Sequence, residues 1–298
     1  MSDGTSYHGQ PILKRPVWTW EIPVYFFTGG LAGASAGLAW LTGLRGNRVL
    51  SRRAWVVALT AVGVSPPLLI SDLGRPERFL NMLRMFKVTS PMSVGSWVLA
   101  TSGPSVAVAA LSAHTGRLPR LGALAGPTAA LSGLPLATYT GALLANTAVP
   151  VWHEARRELP FVFGAGAALS AGAACAAVTP TADGAPARRL ALGAAAAELV
   201  AKRAMECRLG ESGEPYKSGA AAKFSRISTG CILAGAALMA ARGSRDRAAT
   251  VAAGALLLGG AFAERWSVYR AGQESSADPR FVVGPQRRRI EQREPALP

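Results

Sequence analysis

The stretch Ile22-Pro-Val-Tyr-Phe-Phe-Thr-Gly-Gly-Leu-Ala-Gly-Ala-Ser-Ala-Gly-Leu-Ala-Trp-Leu-Thr-Gly-Leu44 contains no charged residue. As an α-helix it is long enough to cross a hydrocarbon core of about 30 Å. Seven further apolar stretches follow, at Ala54–Ser71, Pro91–Ser112, Leu121–Val149, Pro160–Pro180, Ala187–Met205, Phe224–Ala241 and Ala248–Tyr269, separated by short polar loops. The pattern predicts an all-α integral membrane protein, a bundle of eight transmembrane helices in the lipid bilayer of the cell membrane. An even number of spans puts both termini on one side. Three segments result: a polar N-terminal tail over 1–21, the eight-helix domain over 22–270 and a basic C-terminal tail over 271–298.

Composition supports this. Of 298 residues 50% are hydrophobic and only 16% charged, against about 25% in ordinary globular chains. That excludes a soluble globule, a disordered chain and a disulfide scaffold. The net charge of +15 does not mark a nucleic-acid binder, because the basic residues cluster at the ends of apolar stretches, as membrane insertion requires. The N-terminus lacks the layout of a signal peptide, and the first apolar segment is too long for one. Arg45, Arg48, Arg52, Arg53, Arg117, Arg120, Arg188, Arg189, Arg242, Arg245 and Arg247 lie in or beside the loops opposite the termini, and the other basic residues lie on the terminal side. Charge counting over short loops does not settle the orientation.

Cys175, Cys207 and Cys231 stand apart and no CxxC occurs, so the protein itself is expected to hold no iron–sulfur cluster and no structural metal. The only histidines are His8, His114 and His153. None lies mid-span, so no transmembrane haem is expected. Gly29, Gly33 and Gly37 repeat every four residues, a smooth face for close helix packing or, alternatively, a bed for a flat ring. Pro66-Pro67 is expected to kink or end the second helix.

The connection Ser71-Asp-Leu-Gly-Arg-Pro-Glu-Arg-Phe-Leu-Asn-Met-Leu-Arg-Met-Phe-Lys-Val-Thr-Ser-Pro-Met-Ser-Val-Gly-Ser-Trp97 is too specific for a tether. A turn at Gly74-Arg75-Pro76 can bring Asp72 and Arg75 together at the membrane surface. Phe79, Met82, Leu83 and Phe86 recur at helical spacing, which predicts an interfacial amphipathic helix with Arg78, Arg84 and Lys87 turned elsewhere. A surface ion pair and a snorkelling helix explain the same residues without function.

This loop resembles the hallmark of the NrfD/PsrC-type membrane subunits, the polysulfide-reductase membrane-anchor family. Further resemblance lies in Tyr25-Phe-Phe-Thr-Gly-Gly-Leu-Ala-Gly33, Tyr139-Thr-Gly-Ala-Leu-Leu-Ala145, Val151-Trp-His-Glu154 and Leu159-Pro-Phe161. It implies eight spans and a quinone site near one membrane surface. It also implies a ferredoxin-like iron–sulfur electron-transfer subunit as partner, itself serving a molybdopterin (molybdenum or tungsten) catalytic subunit. Gly210-Glu-Ser-Gly-Glu-Pro-Tyr216 and the arginine-rich tail resemble relatives encoded with formate-dehydrogenase-like catalytic subunits. The resemblance places the termini on the non-cytoplasmic side.

A quinone, menaquinone or ubiquinone, needs donors for its carbonyls and a route for two protons. Asp72 can exchange protons and Arg75 can orient it or polarise a carbonyl, which makes this pair the candidate catalytic residues. Glu21, Tyr139, Asn146 and His153 are candidate quinone ligands, against readings of Tyr139 as an aromatic anchor and of Asn146 and His153 as loop and cap residues. Arg78, Arg84 and Lys87 are expected to dock the iron–sulfur subunit. Trp18, Trp20, Trp152 and Trp266 fit an interfacial aromatic belt. Glu198, mid-span, is a candidate proton relay, or it pairs with Lys202 one turn away. A secondary transporter or ion-conducting bundle is the alternative class.

Overall fold

Each of the eight apolar segments forms one long helix. A computed structural model describes residues 13–14 and 16–283; His8, Arg287, Arg288, Arg289 and Arg293 lie outside the described residues. The long helices are α1 (Glu21–Leu44), α2 (Arg48–Asp72), α4 (Pro91–Thr115), α5 (Pro119–Ala145), α7 (Leu159–Val178), α8 (Ala185–Leu209), α9 (Gly219–Arg242) and α10 (Arg247–Ala277). Two single-turn helices, α3 (Arg78–Met82) and α6 (Pro150–Glu154), and a 3-10 turn over Gly210–Tyr216 fill the connections at the end of the bundle where the described residues start and finish. There Tyr269 donates its hydroxyl proton to the Trp18 carbonyl at 2.6 Å, and the Gln273 amide donates to the Pro16 carbonyl at 3.3 Å. The two ends of the described chain therefore meet on the same face.

Helices adjacent in sequence pack in pairs, α1 on α2, α4 on α5, α7 on α8 and α9 on α10, while α1 and α7 join the two halves. The contact of α1 with α5 runs through small residues. Gly33 of α1 and Gly133 of α5 oppose each other backbone to backbone, and a methyl at either would collide with the other's carbonyl. Close approach of this kind supplies dispersion and backbone contacts where lipid removes the hydrophobic drive between helices. The same face opens further along, since nothing stands within 4 Å of a methyl at Gly37. The outer surface is apolar: all eight long helices carry exposed large hydrophobics, among them Val56, Leu124, Leu134, Phe161, Val200 and Leu233. Such a belt fits a lipid surround and not water.

Length and composition alone qualify five helices, α1, α2, α4, α7 and α9, as membrane spans. Glycine, proline and threonine lower the hydropathy of α5. In α8 and α10 the deficit comes largely from charged side chains, four of which (Glu198, Lys202, Glu264, Arg265) are buried inside the bundle, so the outer faces of these two helices can still meet lipid.

Several expectations need correction. Pro66 and Pro67 do not end the second helix, which runs on to Asp72; membrane bundles absorb the lost donors through neighbouring groups. The interfacial helix over Phe79–Phe86 is only the single turn α3. Beyond it the Met85 carbonyl accepts from the Ser93 hydroxyl (3.0 Å) and the Trp97 indole (3.3 Å), and the Ser93 hydroxyl accepts from the Lys87 amide (3.1 Å). These bonds to the start of α4 replace the helical ones. Trp152 is no belt residue: it is fully buried, stacks on Trp18 at 5.7 Å and donates to the Val268 carbonyl at 2.8 Å. The last helix continues past residue 270, to Ala277.

Candidate functional site

At the terminus-side end of the bundle, α1, α2, α4 and α5 leave a cleft that the segment before α1 covers. Trp18 lies over it, wedged on Trp152, and Thr19 ties it to α2 through two bonds to Asp72 Oδ1, from the backbone amide at 3.2 Å and the hydroxyl at 3.1 Å. The cavity below is lined by Trp18, Tyr25, Phe26, Leu69, Asp72, Met82, Met92 and Tyr139, among others. It holds about 50 Å³, room for a few waters and well below a settled ligand site of several hundred Å³.

Two polar elements stand in this apolar shell. Asp72 ends α2 and carries the carboxylate. Tyr25 and Tyr139 form the second element, their hydroxyls hydrogen-bonded to each other and their rings edge to face at 6.5 Å. In such a pair one hydroxyl donates to the other, which leaves a second O–H proton to donate elsewhere. Tyr139 can occupy this place because α4 offers Gly95: a methyl there would stand 2.8 Å from two of its ring carbons and closer still to a third. Tyr139 thus faces the interior and is not an aromatic anchor at the lipid interface.

The structure brings together some of the expected residues and separates others. Asp72 and Tyr139 share the cavity. Glu21 sits one hydroxyl away from it, since the Thr19 hydroxyl reaches both Glu21 and Asp72. A hydroxyl has one proton to donate, so the two carboxylates compete for it. The expected Asp72–Arg75 pair is not formed, because the Asp72 carboxylate is taken by Thr19 and Arg75 is exposed. Asn146 caps α5, donating to the Ala142 carbonyl at 2.8 Å, and His153 is exposed on α6; neither lines the cavity. The contributions of Trp18, Thr19 and Tyr25 went unread in the sequence. Tyr25 lay inside a quoted motif, but its partner is 114 residues away.

Arg78, Arg84 and Lys87 are all exposed around α3, beside exposed Leu80, Met85, Phe86 and Val88. The stretch is a basic and apolar ledge along one wall of the cavity, to which it contributes Met82.

Glu198 is fully buried, but its expected pairing with Lys202 is not formed. Lys202 Nζ turns to Glu264 of α10, at 2.6 Å, and also donates to the Ser225 carbonyl at 3.1 Å and the Thr229 hydroxyl at 3.3 Å. Neither oxygen of Glu198 has a hydrogen-bond partner. Next to Glu264, Arg265 is buried as well, its Nη2 donating to the Phe163 carbonyl at 2.8 Å. Glu264 and Arg265 were missed in the sequence, although charge inside the last apolar stretch was the signal for them. Among the described residues no three His, Cys, Asp or Glu side chains converge as metal ligands.

Comparison with known proteins fits this architecture. A family model described as polysulfide reductase, of NrfD type, matches residues 4–281. The C subunit of polysulfide reductase from Wolinella succinogenes is 33% identical over 99 residues, 31% of this protein and 31% of that one. The match thus spans about a third of that relative's length.

Proposed function

Because the chain belongs to the NrfD-type polysulfide reductase family of membrane proteins, we propose that it is the quinone-reactive membrane subunit of an oxidoreductase complex. In this reading it exchanges electrons between the membrane quinone pool, menaquinone or ubiquinone, and a ferredoxin-like iron–sulfur subunit that serves a molybdopterin catalytic subunit. A formate-dehydrogenase-like catalytic partner is the finer form of the proposal. One observation carries it: an apolar cavity at the membrane-surface end of the bundle that holds a carboxylate, Asp72, and a phenol pair, Tyr25 and Tyr139, in one space.

The chemistry follows from these groups. Quinone supplies a two-electron, two-proton couple, and its ring suits the lining of Phe26, Leu69, Met82 and Met92. The free O–H of the tyrosine pair donates to one carbonyl. Asp72 relays a proton between the cavity and water, with Thr19 holding its carboxylate in place and Glu21 sharing that hydroxyl toward the surface. Since the cavity is smaller than a ring, admission requires Tyr139 or the covering Trp18–Thr19 segment to move aside, and its return excludes water between turnovers. Arg75, outside the cavity, is assigned to the exposed ledge with Arg78, Arg84 and Lys87. There basic charge orients the iron–sulfur subunit above the cavity and keeps the electron path short. That face is read as non-cytoplasmic.

Isolation of the native complex tests the proposal. Co-purification with a cluster-bearing subunit and a molybdenum or tungsten enzyme, with quinone-dependent electron transfer, is the expected result. Purification as a lone protein that carries solute into liposomes and shows no quinone reaction would overturn it in favour of a transporter.

A further inference from the structure

Four charged side chains are enclosed between α7, α8, α9 and α10: Glu198 and Lys202 on α8, Glu264 and Arg265 on α10, all at 5% exposure or less. Two of them form an ion pair. Lys202 gives its ammonium donors to one oxygen of Glu264, to Ser225 and to Thr229, while the other oxygen, Glu264 Oε1, has no hydrogen-bond partner. The other two form no ion pair. Glu198 and Arg265 converge on Gly166 of α7, where a methyl would stand 2.6 Å from Glu198 Oε1 and 2.5 Å from Arg265 Nη2. Yet both Glu198 oxygens and Arg265 Nε and Nη1 have no hydrogen-bond partner. A buried carboxylate with no donor is costly inside a membrane bundle and marks function by default.

The cluster has a neighbour on each side. Toward the surface, the 3-10 turn over Gly210–Tyr216 packs against α8 and α10, and its Tyr216 hydroxyl is buried and likewise without a partner, the phenol pKa being raised by burial and by the carboxylates of Glu264 and Glu206. Glu206 in turn is partly exposed at the end of α8. Toward the cavity, the Arg265 guanidinium lies 4.1 Å over the Phe163 ring, which meets Phe26 edge to face at 5.6 Å. Phe26 is part of the cavity wall. Two aromatic rings, Phe163 and Phe26, therefore separate Arg265 from the proposed quinone site.

From this arrangement we infer that Glu198 is a proton-loading site driven by events in the quinone cavity, filled from water on the terminus side by way of Glu206 and Tyr216. The inference rests on the quinone reading above. When electrons from the iron–sulfur partner reach quinone, negative charge arises behind Phe26 and draws the Arg265 guanidinium away from Glu198, further along the Phe163 ring it already covers. Glu198 then loses its stabilising cation and its carboxylate takes one proton from water. The two protons consumed in forming quinol are separate from this one. Uptake of the two quinol protons cancels that charge and restores Arg265, and the Glu198 carboxyl releases its proton. Lys202 and Glu264, which also face the site, stay paired throughout.

Infrared difference spectroscopy of the purified native complex, with a short-chain menaquinone or ubiquinone analogue reduced in an electrochemical cell, tests this. A carboxylic-acid carbonyl band that shifts in heavy water is expected transiently after a reducing potential step, before quinol is fully formed, and is absent in Glu198→Gln. Tyr216→Phe keeps the band and delays its appearance at least tenfold. A band that persists in Glu198→Gln, or a wild-type complex that reduces quinone with no such band, overturns the inference and leaves the quinone reading intact. Should Glu198→Gln fail to assemble, the wild-type band and the Tyr216→Phe delay decide. A wild-type complex with no quinone reaction at all instead refutes the quinone reading, and this inference with it.

Discussion

Gly95→Ala probes the cavity without changing the chemistry of any proposed reacting group. Gly95 lies in the second turn of α4 with its Cα against the Tyr139 ring. An added methyl would stand 2.8 Å from Tyr139 Cδ2 and Cζ, and nearer still to Cε2. Ordinary contact begins near 3.4 Å, so the ring must slide by more than an ångström to clear Cε2, carrying its hydroxyl away from Tyr25. Overpacking of this kind lowers stability by about 1–3 kcal/mol, whereas the displaced hydroxyl forfeits a quinone hydrogen bond of about 0.5–1.5 kcal/mol, or roughly 2- to 12-fold at 1.4 kcal/mol per tenfold. The expected result is that quinone-dependent kcat/KM falls within that range while electron transfer to an artificial acceptor on the catalytic partner is unchanged. Gly103→Ala on the same helix is the control, because its methyl would meet only Val62, at 4.0 Å. Normal quinone kinetics in Gly95→Ala, with a complex assembled in full yield, would refute the placement of the quinone beside Tyr139.

Asp72→Asn keeps the shape and removes the titratable charge; quinone turnover should slow by about 10²–10⁴-fold with assembly intact, and collapse of complex yield with normal turnover would make the motif structural. Arg75→Lys, exposed and unpaired with Asp72, should leave the quinone KM within about twofold and weaken partner binding instead, measured by titrating the iron–sulfur subunit against salt. Reversal of Arg84 and Lys87 together to Glu should release that subunit at physiological salt; full retention on size-exclusion chromatography would assign these residues to lipid head groups. Lys202→Met strands the Glu264 carboxylate in the bundle and should cost about 3–5 kcal/mol, read as a lower thermal-inactivation midpoint, with Lys202→Met/Glu264→Gln recovering most of it.

The eight helices could be read from the sequence because a membrane makes local composition decisive: a charge-free run such as Ile22–Leu44 must satisfy its backbone within itself, whatever its neighbours. The same locality led the reading astray at Phe79–Phe86, where helical spacing of apolar residues was outweighed by bonds from Lys87, Ser93 and Trp97 that fasten the segment to α4. Asp72 and Tyr139 were recognisable individually from their motifs, but their shared cavity depends on Gly95 giving way to the ring and on Trp18 and Thr19 folding back over α2. The Glu198 pairing shows the limit most clearly. Sequence spacing offers Lys202 one turn away as its partner. The tertiary structure gives Lys202 to Glu264, 62 residues on, and sets Arg265 opposite Glu198 instead. A buried cation goes to whichever carboxylate and carbonyls can surround it, and only the packing of α8 against α9 and α10 determines which those are.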